Sequence, residues 1–140
     1  MRLKIVTPEK IILDVETKGV FVKAIDGELG VLPGHIPLMT ALDIGVAHYI
    51  TEENLTEFIS IIGGTFKIEN DEVTILTEAA ELGEDIDQTR AEQAVDRARA
   101  KLKGMLEQSV DKHSPEMEAA RLSVLKAIAR IKAANKTHKR

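Results

Sequence analysis

The stretch Gly27-Glu28-Leu29-Gly30-Val31-Leu32-Pro33-Gly34-His35-Ile36-Pro37-Leu38 sets three glycines and two prolines between two apolar runs, residues 20–25 before it and the segment from Ile44 after it. Glycine admits backbone conformations closed to other residues, and proline fixes φ and removes a donor. Such dense punctuation between β-branched runs predicts a tight turn, with the chain crossing from one sheet to another. Outward from it lie further short runs at residues 2–6, 11–15, 29–32, 44–50, 55–62, 65–68 and 73–77. Pro8-Glu9-Lys10 reads as a turn, Gly63-Gly64 as a break, and Glu69-Asn70-Asp71-Glu72 as a hairpin loop. This rhythm predicts an N-terminal antiparallel β-sandwich.

The period changes after Glu84. Asp85 or Asp87 is suited to cap a helix start, since a carboxylate accepts free N–H groups and favours the positive end of the helix dipole. Ala91, Ala94, Val95, Ala98, Leu102, Met105 and Leu106 then recur at helical spacing, with a stop expected near Ser109. Ser114-Pro115-Glu116 announces a second helix, with serine as cap and proline at the first helical position. Its main stripe is Met117, Ala120, Val124, Ile128 and Ile131, widened by Leu122, Leu125 and Ala129. Lys126, Arg130, Lys132, Lys136, Lys139 and Arg140 crowd its end. The connection is short, so the expectation is a C-terminal antiparallel two-helix hairpin. The division is a sandwich over 1–84 and a hairpin over 85–140. Both helical stripes are rich in alanine and bury little area, which predicts a movable element.

Charge divides at the same place. The chain has 140 residues and a net charge of −4. Residues 1–84 carry six Lys+Arg and fifteen Asp+Glu, and residues 85–140 carry thirteen and eight. The basic half is diluted with acids and lacks aromatics for stacking, so an acidic protein partner fits better than nucleic acid. The absence of cysteine excludes disulfides, thiol chemistry and Cys-type zinc sites. No apolar run approaches the ~20 residues of a membrane span. Pro8 comes too early for a signal peptide, so membrane association is expected to go through partners. The histidines at 35, 48, 113 and 138 stand singly, with no pair at metal-ligand spacing. A phosphate loop of the Gly-x-x-x-x-Gly-Lys-Ser/Thr form is missing, and so is any catalytic constellation.

The order Gly-Glu-Leu-Gly-Val-Leu-Pro-Gly-His-Ile-Pro-Leu at residues 27–38 resembles the signature of the epsilon subunit of bacterial F-type ATP synthases. The resemblance spans the chain: β-rich part, short acidic junction, two helices. It implies a non-catalytic rotor subunit, peripheral on the cytoplasmic face of the bacterial cell membrane. The sandwich would join the foot of the gamma subunit to the c subunits of the rotor ring. The hairpin, folded on the sandwich or extended along the stalk, would restrain ATP hydrolysis by the alpha and beta catalytic subunits through an acidic segment on beta. Glu28 and His35, polar amid apolar neighbours, are assigned to partner contact.

Residues Ile86-Asp87-Gln88-Thr89-Arg90-Ala91 carry two readings. In local physics Asp87 caps the helix and pairs with Arg90. The resemblance implies instead an Ile/Leu-Asp-x-x-Arg-Ala motif by which some family members bind ATP. Ile86, Asp87, Arg90 and Ala91 match it, and Glu81, Arg97 and Arg130 fall at supporting positions. Lys126 stands where nucleotide-binding members tend to have a second arginine. No cofactor is required, and ATP would be regulatory. Two rival classes are a free-standing ATP-sensing module and a small sandwich enzyme. The missing acid/base pairs disfavour the enzyme.

Overall fold

The computed structural model describes residues 1–108 and 110–138. Eight strands come first: β1 (Arg2–Val6), β2 (Ile11–Glu16), β3 (Gly19–Ala24), β4 (Gly27–Val31), β5 (Leu38–Ile50), β6 (Thr56–Glu69), β7 (Glu72–Leu76) and β8 (Ala80–Leu82). A 3-10 turn at Gly83–Asp85 leads to α1 (Gln88–Glu107) and α2 (Pro115–His138).

The strands hydrogen-bond in the order β2-β1-β7-β6-β5-β3-β4, with β8 beside β6. The two long strands serve both layers of the sandwich. Thr65–Glu69 of β6 pairs with β7, whereas Ile59–Ile61 pairs with β8. Likewise β5 pairs with β3 from Leu42 to Ile50. Side chains alternate along each strand. The inward rows Leu3, Ile5, Phe66, Ile68, Val73 and Ile75 of one layer meet Val20, Val22, Val31, Ala47, Tyr49, Ile59 and Ile61 of the other in one apolar core. All the pairings are antiparallel except β1 with β7, which run parallel.

Three strand expectations need correcting. Gly63-Gly64 does not break the chain into two strands. It lies within β6, where Leu42 pairs Gly64 and Ile44 pairs Ile62, so Asp43 and Gly63 oppose each other without pairing. Both glycines have positive φ, 68° and 119°, which lets the paired strands bend from one layer into the other. The run expected from Ile44 begins at Leu38, and β8 was absent from the expected runs. The hairpin at 69–72 is as read, with Asn70 and Asp71 at φ 53° and 59°, the signature of a primed turn.

Both helix starts follow the capping chemistry. Asp87, not Asp85, is the first cap, and its Oδ1 accepts the Arg90 backbone N–H at 3.0 Å. Ser114 Oγ accepts the Met117 N–H at 3.2 Å. The stop expected near Ser109 lies outside the described residues, as do Lys139 and Arg140; α1 is described to Glu107 with Gln108 as its C-cap. The helices form a hairpin, and α2 lies against the outer face of β5 and β6. The widened stripe on α2 is corrected. Leu122 and Leu125 are exposed, and the buried side is Met117, Ala120, Ala127, Ala129, Ala133, Ala134 and Thr137. Small side chains win because α2 must approach both α1 and a sheet closely. No helix among the described residues is long and apolar enough to cross a membrane.

Candidate functional site

The punctuated stretch contributes β4 and then a crossing loop. Leu29 and Val31 point inward, while Glu28 and Gly30 point outward. Gly30 makes room for Phe21, since a Cβ there would stand 2.8 Å from the ring and the ring would have to shift. The chain then turns at Pro33-Gly34, where Gly34 has φ 87° and the His35 N–H returns to the Leu32 carbonyl at 3.2 Å. The Gly34 N–H donates to Asp71 Oδ1 at 2.6 Å, tying the loop to the β6–β7 hairpin of the other layer. The loop therefore crosses between layers at one end of the sandwich, as the sequence implied.

This end is apolar and uncovered. Leu32 and Ile36 in the loop and Met39 at the start of β5 are 57%, 74% and 64% exposed, an apolar set of the kind that marks a contact surface. His35 is half-buried beside them. Its Nδ1 lies 2.6 Å from the Ile36 carbonyl, which can only accept, so Nδ1 carries the proton and Nε2 is left for a partner. Glu28 is not beside His35. It sits in β4 opposite Lys23 and lines a groove with Phe21, His48 and Lys136.

The second candidate set lies where the hairpin meets the sandwich. Arg130 on α2 forms a fork on Glu81 of β8, with Nε to Oε1 at 2.7 Å and a terminal nitrogen to Oε2 at 3.3 Å. One turn earlier on α2, Lys126 Nζ reaches Glu78 Oε1 at 3.0 Å. Below these pairs, Ile86, Ala91, Ala133 and Ala134 form a small apolar cluster against Val46 and Ile131. Gln88 donates through Nε2 to the Asn135 side chain. Gly83 touches α2 so closely that an added Cβ would overlap Thr137 Oγ1 and stand 2.6 Å from the Ala133 carbonyl oxygen.

Among the residues of the nucleotide motif, the fold brings Glu81 to Arg130 and buries Ile86 and Ala91 together. Asp87 meets Arg90 through the Arg90 backbone N–H, and the expected side-chain pair between them is not formed among the described residues. Arg90 and Arg97 are exposed on α1, two turns apart, and no ion pair holds either among the described residues. A groove of about 430 Å³ beside Glu81 carries the acids Glu9, Glu78, Glu81 and Asp85 against the single cation Lys10, and reaches none of Asp87, Arg90, Arg97 or Arg130. In this form Arg130 is held by a carboxylate, so a phosphate would have to displace Glu81 to use the same fork. Glu78 and Gly83 were not singled out from the sequence. Each acts on α2, far along the chain, and no local pattern marks them.

The family model described as ATP synthase, Delta/Epsilon chain, beta-sandwich domain matches residues 1–83. The ATP synthase epsilon chain of Citrifermentans bemidjiense is 36% identical over 140 residues, covering 100% of this chain and 97% of that one. That of Carboxydothermus hydrogenoformans is 42% identical over 102 residues, 73% of this chain and 75% of its own. A chain in the structure of Euglena gracilis mitochondrial ATP synthase, OSCP/F1/c-ring in rotational state 1, superposes with a TM-score of 0.75 at 25% identity. That match covers 95% of this chain and 79% of the other. A chain of the Tetrahymena thermophila mitochondrial ATP synthase central stalk and c-ring shares the fold at a TM-score of 0.55 and 13% identity.

Proposed function

The chain belongs to the ATP synthase epsilon-chain family, and from that premise we propose that it is a non-catalytic rotor subunit whose hairpin restrains ATP hydrolysis. The uncovered end at Leu32, Ile36 and Met39, with His35 beside it, would seat the sandwich between the gamma subunit and the c subunits of the rotor ring. Glu28 would contribute from the adjoining outer face. The protein would lie at the cytoplasmic face of the cell membrane, held there through the complex.

The observation that carries the regulatory part is the seam between α2 and the sandwich. In the docked form, Glu81 and Glu78 neutralise Arg130 and Lys126, two cations that an acidic segment of the catalytic beta subunits would otherwise attract. The seam is weak. Its pairs are partly solvated and worth about 0–1 kcal/mol each, and its apolar part is mostly alanine, at about 0.8 kcal/mol per buried CH₂. Release would expose the cations together. Docked is therefore the permissive form and released the restraining one. ATP is the proposed regulatory ligand of the docked form, with Arg90 and Arg97 free to meet phosphates and Arg130 exchanging Glu81 for them. A ligand shifts such an equilibrium only by its differential affinity for the two forms.

The test is reconstitution. A chain ending at Ile86 should still co-purify with gamma, and the complex should hydrolyse ATP faster than with the full chain. Unchanged or slower hydrolysis overturns the restraining role. Failure of the full chain to come down with gamma would favour a free-standing sensor. Glu28→Ala and His35→Ala, made singly, should each weaken assembly and leave the isolated fold intact.

A further inference from the structure

His48 lies on the outer face of the sheet, under the last turns of α2. Its cross-strand neighbours are Phe21 on β3 and Phe58 on β6. The imidazole stacks on Phe21 with ring centroids 4.6 Å apart and an 11° interplanar angle, and meets Phe58 at 5.7 Å and 48°. From α2, Lys136 places its ammonium 5.7 Å from the centre of the Phe58 ring and lines the same groove as His48. Two other charged groups face this groove, Lys23 from β3 and Glu28 from β4. Lys23 is paired with Asp43 at 3.7 Å.

A neutral imidazole suits this slot, because it stacks as an aromatic ring and leaves the Phe58 face to the lysine. An imidazolium would set a second cation under Lys136. The Phe21 face offers it some cation–π attraction and Glu28 some charge, but it loses hydration and faces the ammonium. Partial burial and the nearby Lys136 push the His48 pKa below its ordinary value of 6.5, while Glu28 opposes them.

We infer that protonation of His48 releases the C-terminal turns of α2 from the sheet, so that docking of the hairpin is acid-sensitive. Once α2 leaves, Lys136 and the covering helix are gone, and the imidazole regains its ordinary affinity for a proton. The released form therefore binds more protons, and the docked form loses stability as pH is lowered. The contribution is fully present above the ordinary value of 6.5 and is lost as pH falls through the depressed docked value. This holds whether or not the hairpin restrains hydrolysis.

The experiment is NMR on the full chain between about pH 8 and about pH 5, the range in which imidazoles change charge. The His48 ring is titrated, and amide exchange over residues 131–138 is followed with the intrinsic pH dependence removed. His48 should titrate below the range of a free histidine, and these amides should lose protection as it does. His48→Phe keeps the stacked row without the proton, so its protection should be flat with pH. Exposed His138 remains in that variant and controls for titration at the helix end. Lys136→Met should raise the His48 titration point. If His48→Phe fails to fold, His48→Gln serves for the exchange comparison. An ordinary His48 titration, or the same loss of protection in the non-titrating variant, overturns the inference.

Discussion

Gly83 leaves no room between the sandwich and α2, because any side chain would enter the space of Thr137 and the Ala133 carbonyl. Gly83→Ala should therefore lift the end of α2, at a cost of about 1–3 kcal/mol for an overpacked contact. Limited proteolysis should then cut within residues 88–138 faster while the sandwich fragment persists, and wild-type resistance would refute the close-packing account. Arg90 separates two chemistries that the sequence left entangled. The cap uses its backbone N–H, so Arg90→Ala should cost the helix only a few tenths of a kcal/mol. Asp87→Ala should cost about 0.5–2 kcal/mol with or without nucleotide. If Arg90 meets phosphate, titration calorimetry with ATP will show weaker binding for Arg90→Ala, and equal heats would remove Arg90 from that role. Capping was legible in the sequence because it is settled within four residues. The Glu81–Arg130 fork and the Gly83 contact were not, because each joins residues about fifty positions apart.

At the scale of elements, the bend in β6 shows how a correct local reading yields a wrong boundary. Gly63-Gly64 does interrupt regular strand geometry, but β5 pairs on both sides of it and holds the strand together. A Cβ at Gly64 would overlap the Leu76 carbonyl oxygen at a φ of 119°. Gly64→Ala should destabilise the sandwich by about 1–3 kcal/mol from backbone strain alone, read from the urea midpoint. On α2 the error had a different source. Helical spacing admits Leu122 and Leu125 to the stripe, whereas the helix turns its alanines to the sheet and leaves Leu125 52% exposed. Distance of approach, not hydrophobicity, chose the face. Because the ion pairs along that face are partly exposed, salt should weaken docking. Protease sensitivity of the helices should rise between about 0.05 and about 0.5 M salt, and insensitivity would show that the alanine seam alone suffices.

For the molecule as a whole, the main core draws its buried residues from Leu3 to Ala80, all ahead of the helices. A chain ending at Ile86 should unfold in one cooperative urea transition, and a broad or absent transition would mean that the sandwich depends on its hairpin. The two-part architecture and the crossing loop were visible in the sequence, since short β-branched runs and a 3.6-residue period are local patterns. The layering was not, because the long strands belong to both sheets.

The parallel pairing of β1 with β7 has a consequence for synthesis. Arg2–Val6 leaves the ribosome well before β7, and the register that sets Arg2 against Glu72 needs a strand separated from it by five others. At about 5–20 residues per second, the first strand waits on the order of several seconds for that neighbour. Until then it has only its hairpin with β2, and a lone two-stranded hairpin is marginal in water. Nascent chains stalled with β7 still inside the exit tunnel should be digested readily, and those stalled after β8 has cleared it should resist. The β1–β7 pairing can close only after β7 has emerged, so a translational pause before β7 should expose the nascent chain to chaperones and proteases for longer than the same pause within α1 or α2.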